Sequence, residues 1–155
     1  MRILYVLSGI PGSGKTTWAN KFQKSHKNTY IVSSDEIRKE LTGAYQNFKE
    51  ENKVWSLYYS RINEYSLLKN DANVFCDSTA LIDEYRLLPL NYKGKYDKKV
   101  LVYFNVSPSI CKSRNEKREK EKRVIETVMD TMINSNQYPK EETIKKFDEF
   151  LIINK

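Results

Sequence analysis

The sequence predicts an α/β fold: a parallel sheet of about five strands with helices on both faces. Three observations carry this expectation. Apolar, β-rich runs recur along the chain without the alternation of a half-exposed strand. Stretches of helical length and mixed charge separate them. A glycine-rich turn lies where the first apolar run gives way to the first helical stretch. Strands that do not alternate must be covered on both faces, and the intervening helices supply that cover.

Taken in order, Ile3–Leu7 (ILYVL) is a continuous apolar strand closed by Ser8-Gly9. Residues 30–33, 73–76, 100–106 and 150–153 repeat the pattern. Between the second and third strands, Val54, Leu57, Tyr58, Ile62, Tyr65 and Leu68 fall on one face at 3.6-residue spacing, which predicts a helix whose aromatic residues pack the core. After the fourth strand, Pro108 suits the first turn of a helix, with Ser107 as its N-cap. Residues 112–132 form a long charged helical stretch broken near Arg118–Arg123, and Pro139 interrupts the residues beyond it. No linker, repeat or low-complexity tract divides residues 1–155, so a single domain is expected.

The composition is that of a globular domain, with 39% hydrophobic and 30% charged residues. No apolar run approaches the ~20 residues of a membrane span. Ile3–Leu7 is too short for a secretory signal, so a cytoplasmic protein without a membrane partner is expected. Cys76 and Cys111 make no disulfide framework or zinc spacing and are read as buried thiols in a reducing compartment. The net charge of +7 is concentrated: residues 91–123 hold eleven Lys/Arg against four Asp/Glu, and the rest of the chain sums to zero. That bias, with Tyr92, Tyr96 and Tyr103 interleaved, fits a polyanionic partner; a solvated helix face and tyrosines packed on the sheet fit it as well.

The sharpest signal is Gly9-Ile-Pro-Gly-Ser-Gly-Lys-Thr16, a match to G-x-x-x-x-G-K-[ST] between a strand and a helix. At average composition such a match arises by chance in a chain of this length less than about once in a hundred. The chemistry explains the residue types. Backbone N–H groups of Gly12, Ser13, Gly14 and Lys15 would turn inward around phosphates, which needs glycine's conformational freedom. The helix opening near Lys15 adds its positive end, with Thr17 in its first turn. Lys15 would bridge the β- and γ-phosphates of ATP, and the Thr16 hydroxyl would coordinate Mg²⁺.

Function in a parallel sheet gathers beyond the carboxyl ends of the strands. Three groups fall there. Asp35 follows the second strand, with Arg38 one helical turn further along the same face. Asp77 closes the third strand, before Ser78 and Thr79. Arg114, Arg118 and Arg123 lie beyond the fourth. Each taken singly has a structural alternative, as a helix cap, a turn residue or a solvated charge; their joint placement around one loop favours a site.

With those residues in view, the chain resembles the polynucleotide 5′-kinase branch of the P-loop kinases. The likeness is carried by PGSGKTTWA (11–19), SSDEIR (33–38), DST (77–79) and RNEKR (114–118) followed by RV (123–124), in the family's order. The resemblance implies a sheet with the loop strand central and a helical, arginine-bearing lid over about residues 112–135. It implies Asp35 as the general base for the acceptor's 5′-hydroxyl and Arg38 as the grip on a neighbouring phosphate. Arg114, Arg118 and Arg123 would close over ATP, with Lys15 and Arg118 at the reaction centre, and Asp77 and Ser78 would lie near the acceptor. The interval from Arg118 to Arg123 is longer than the family's pattern, so Lys120 or Lys122 could stand in for Arg123. From these 155 residues, a kinase domain is expected without the phosphatase or ligase domains that often accompany such kinases.

The expected reaction is transfer of the γ-phosphoryl of ATP to a nucleic-acid 5′-hydroxyl end, driven by positioning and charge stabilisation. Two rivals share the frame. One is a kinase of a small acceptor such as a nucleoside, nucleotide or sugar nucleotide. The other is a non-catalytic ATP-binding module, which would need neither a base nor lid arginines.

Overall fold

The computed structural model describes residues 1–91 and 95–155. Tyr92 and Lys93, two members of the basic, tyrosine-bearing segment, lie outside the described residues.

Five parallel strands form one sheet: β1 (Ile3–Ser8), β2 (Thr29–Ser33), β3 (Asn73–Asp77), β4 (Lys98–Phe104) and β5 (Glu149–Ile153), in spatial order β2-β3-β1-β4-β5. The expected α/β class and the central position of β1 are borne out. The fourth strand begins two residues earlier than expected and stops at Phe104, because its ladder with β1 starts at Ile3 opposite Lys98.

Pleating sends alternate β1 residues to opposite faces. Leu4 and Val6 join Val74, Cys76 and Leu101 in a core closed by Val54, Tyr58 and Ile62 of α3 (Glu51–Leu68). Leu7, with Phe75, Val100, Val102 and Phe104, packs beneath Ala19, Trp18 and Phe22 of α1 (Lys15–Ser25). The stripe read along α3 is wider than expected at Tyr59 and Ser66, both buried, and shorter at its end, where Leu68 is 54% exposed.

The remaining helices are α2 (Ser34–Thr42), α4 (Asp83–Leu87), α5 (Pro108–Glu116), α6 (Glu126–Ser135) and α7 (Glu141–Ile144). Ser107 caps α5, accepting from the Ile110 amide ahead of Pro108, as its sequence predicts. A third cluster forms beyond the carboxyl ends of the strands, where Val124 and Met129 of the α5–α6 region pack on Ile10, Leu81, Val106 and Cys111. The helical break expected near 118–123 falls between α5 and α6 and contains one 3-10 turn, Lys120–Lys122.

The chain crosses from β3 to β4 on the far side of β1, so the sheet opens a crevice at the carboxyl end of β1. The excess positive charge does not form one patch. Lys98 and Lys99 sit at the opposite, amino end of the sheet, where Lys98 pairs with Glu149 at 2.8 Å. Tyr96 and Tyr103 are packing residues: the Tyr96 hydroxyl donates to the Ile62 carbonyl, and Tyr103 is 5% exposed. Among the described residues, no helix is long and apolar enough to cross a membrane.

Candidate active site at the carboxyl end of the sheet

The turn between β1 and α1 is shaped by two glycines. Gly12 has φ +84°, and a Cβ there would sit 2.4 Å from the Cys111 carbonyl oxygen, so any side chain would drive the loop off α5. Gly14 has φ +97° at the N-cap of α1. It offers no side chain to cap the helix, and the first turn of α1 holds no acidic residue. By contrast, α2 is capped by Ser33 and carries Asp35 and Glu36 in its first turn. The uncapped, uncompensated end of α1 fits an anion supplied from outside, as ATP phosphates would be.

Lys15 folds back across this loop. Its ammonium donates to the carbonyls of Gly9 (2.7 Å) and Ile10 (3.0 Å) and to Ser13 Oγ (3.4 Å), while the Ser13 amide donates to Ile10. Only 8% of Lys15 is exposed, and burial pushes its pKa down to about 8 against the pull of Asp77 and Asp35. Thr16 Oγ1 donates to Asp77 Oδ2 at 2.7 Å, joining the helix start to the end of β3. Burial raises the Asp77 carboxyl above its ordinary value, with Lys15 and the Thr16 hydrogen bond opposing. A hydroxyl and a buried carboxylate this close are oxygen donors of the kind that hard cations take.

Across the crevice, Asp35 accepts from Arg38 Nη1 at 2.7 Å. Arg38 is almost wholly buried, and Glu51 holds its other edge with two parallel hydrogen bonds of 2.9 and 2.8 Å. Its guanidinium also lies 4.7 Å from the Phe48 ring centre. Burial works against this charge, but the hydrogen bonds and charges of Glu51 and Asp35 outweigh it and raise the Arg38 pKa.

Lys15, Thr16, Asp35, Arg38, Asp77, Ser78 and Arg118 all line one cavity of about 220 Å³. An adjoining cavity of about 620 Å³ shares Thr16, Asp35, Asp77 and Arg118 and adds Thr17 and Lys122. Arg114 reaches the loop from α5, donating to the Gly12 carbonyl at 3.2 Å. The last arginine stands apart: Arg123 donates to the Arg118 carbonyl and, with Lys120, lines a separate cavity behind the loop. Of the three candidates for that role, Lys122 is the one at the cleft, 5.5 Å from the Tyr45 ring centre.

Four residues that sequence reasoning did not single out hold this arrangement together. Glu51 fixes Arg38 from thirteen residues away. Asn115 exchanges two hydrogen bonds with the Val124 backbone, tying the end of α5 to the chain entering α6. The Tyr45 ring contacts the ammonium groups of both Lys39 and Lys122, while Lys39 pairs with Glu121 at 2.8 Å. Arg86, fully buried, pairs with Asp83 and donates to Ser8 Oγ and to the carbonyls of Leu81 and Gln137, binding α4, β1 and the segment after α6. Asn115 lies inside the quoted RNEKR motif, and the Asp83–Arg86 pair has a local one-turn spacing; Glu51 and Tyr45 have no local signature, because folding alone brings their partners to them.

Residues 4–139 match the family described as AAA domain. Protein kti12 of Schizosaccharomyces pombe is 27% identical over 129 residues, covering 75% of this chain and 45% of that protein. A chain in the structure of the Pnkp1/Rnl/Hen1 RNA repair complex superposes with a TM-score of 0.75 at 24% identity, over 95% of this chain and 46% of that one. The chain thus spans about half the length of both. A sugar kinase from Janibacter sp. HTCC2649 superposes with a TM-score of 0.66 at 14% identity, over 99% of this chain and 85% of that one. The fold is therefore P-loop kinase-like, the class expected from the motifs, and the likeness of fold extends to a chain of an RNA repair complex and to a sugar kinase alike.

Proposed function

The chain belongs to the AAA domain family, and from that premise we propose that it is an ATP-dependent polynucleotide kinase acting on 5′-hydroxyl ends. The observation that carries this reading is the convergence of phosphate-loop, acid-base and arginine residues on one small cavity, with Asp35 facing Lys15, Thr16 and Asp77. The site lies in one domain, whose 112–135 region serves as the lid.

Asp35 accepts the proton of the acceptor's 5′-hydroxyl as that oxygen bonds to the γ-phosphorus. The bond from the γ-phosphorus to the bridging oxygen breaks, and its electron pair leaves on ADP. Lys15, freed from the Gly9 and Ile10 carbonyls, and Arg118 offset the charge on the transferring group. Thr16, with Asp77 behind it, would hold Mg²⁺, which would supply further neutralisation of the phosphates. Arg114 steadies the loop through Gly12, and Arg38 receives the acceptor's adjacent phosphate, with Ser78 at the acceptor side. The role of third lid cation falls to Lys122, Arg123 serving to shape the Arg118 turn. The buried thiols of Cys76 and Cys111 suit a reducing, cytoplasmic setting. Repair of nucleic-acid ends is the process this activity would serve.

One observation favours a second reading, that of a small-molecule kinase or an ATP-binding module: Arg38 is already satisfied by Asp35 and Glu51. A phosphate must compete with these carboxylates for it. Transfer from γ-labelled ATP to 5′-hydroxyl oligonucleotides, nucleosides and sugars, alongside ATP hydrolysis alone, separates the readings. Oligonucleotides should be the preferred acceptors; preference for a nucleoside or sugar, or hydrolysis without transfer, would overturn the proposal.

A further inference from the structure

Beside the reaction cavity lies a second one that the phosphoryl-transfer reading leaves unused. It measures about 350 Å³, and its walls are the rings of Trp55, Tyr59 and Tyr85 with Leu88, Pro89 and Val6. Ser78 and Thr79 line it as well. Trp55, Ser78 and Thr79 also line the cavity that holds Asp35, Arg38 and Lys15, so the two share a wall. We propose that this aromatic cavity receives the base of the acceptor's 5′-terminal nucleotide, and that the acceptor is therefore an unpaired, single-stranded end. The inference rests on the polynucleotide reading and narrows its substrate class.

The chemistry of the walls selects the occupant. Among the described residues, no charged side chain lines the cavity, so it suits neither a phosphate nor a metal ion. A base lays a flat π-face on these rings, a contact that a puckered sugar cannot match. Its volume falls at the small end of ligand pockets, about 300–1,000 Å³. The rings are held in place. Trp55 meets Tyr58 edge-on at 5.1 Å and 74°, and Tyr58, 1% exposed, meets Tyr59 edge-on at 5.1 Å and 85°. Tyr85, from α4, is 52% exposed and stands as the outer wall. A rigid aromatic surface beside a phosphate-binding arginine is how single strands are held without sequence preference, because every base has a π-face. Entry of the base requires it to be unstacked and unpaired, which an overhanging end offers and a blunt duplex resists.

The test is a kinetic cycle using single-stranded 5′-hydroxyl oligonucleotides whose terminal residue carries a base or is an abasic sugar with the same hydroxyl and phosphate. In the wild type, the abasic end should lower kcat/KM by about tenfold to a hundredfold. Tyr85→Ala, which touches only the second cavity, should lower kcat/KM for the natural end to a similar degree, while leaving the abasic end and ATP affinity within about twofold of wild type. A blunt duplex should be a poorer acceptor than the same duplex with a 5′ overhang. Trp55→Ala, whose ring borders both cavities, should also lower kcat/KM for the natural end. Equal rates on natural and abasic ends, equal losses on both in the Tyr85 variant, or equal use of blunt and overhanging ends would overturn the base pocket while leaving the kinase reading intact. Absence of transfer to every oligonucleotide would overturn both.

Discussion

Lys15 is held in the folded protein at a measurable cost, and pH exposes it. Its pKa falls from an ordinary 10.5 to about 8, chiefly through burial. At about 1.4 kcal/mol per pH unit, that gap amounts to about 3 kcal/mol carried by the folded state while Lys15 is charged. Between pH 8 and 10.5 the unfolded chain binds more protons than the folded one, so this contribution to stability rises with pH. Wild type should therefore gain about 2 kcal/mol relative to Lys15→Met between pH 7 and 9.5. The difference between the two proteins matters because Tyr5, Tyr58, Tyr96 and Cys76, all with raised pKa values, weaken both at high pH. ATP binding needs the ammonium form, which drops to about a tenth of the population at pH 9, so ATP affinity should fall about tenfold from pH 7. Urea denaturation of both proteins gives the first quantity. Calorimetric titration in buffers of different ionisation enthalpy gives the second, together with proton uptake on binding. A flat ATP affinity across this range, with no proton uptake at pH 8.5, would refute the argument that a buried, depressed lysine meets the phosphates.

Asp35→Asn should retain ATP affinity within about twofold and lose about 10²–10⁴-fold in single-turnover transfer; equal losses in both would give Asp35 a structural role. Glu51→Gln removes a charge that pairs with a 95%-buried guanidinium, but Glu51 is itself 31% exposed and Asp35 remains. A loss of about 1–2 kcal/mol in urea denaturation is expected, with a raised KM for the oligonucleotide. Arg118→Ala should lower kcat by about a hundredfold or more and Arg123→Ala by less than about threefold, since only the first lines the cleft; steady-state kinetics that rank them equally would contradict that division. Arg86→Met should cost about 3–5 kcal/mol of stability, because Asp83 and the Leu81 and Gln137 carbonyls lose their donor; chemical denaturation showing a loss under about 1 kcal/mol would contradict its role as a hub.

By itself, the sequence determined the features that arise from neighbours along the chain. The five strands announce themselves as apolar runs because a sheet covered on both faces demands them, and the phosphate loop because its glycines, Lys15 and Thr16 act within eight residues. The Ser107-Pro108 start of α5 and the Asp35–Arg38 pair are equally local, set by the first turns of helices. Tertiary structure alone decided what depends on distant partners. Glu51 claims Arg38 only because α3 packs against α2, and Thr16 meets Asp77 only because β3 pairs with β1. The choice of Lys122 over Arg123 at the cleft follows from the turn that Asn115 ties to Val124. The basic segment that looked continuous is divided because β4 holds Lys98 and Lys99 at one end of the sheet, while Arg114, Arg118 and Lys122 follow beyond the other. Charge along a chain is a sum over sequence, whereas a binding surface is a sum over space, and only the packing of strands and helices converts one into the other.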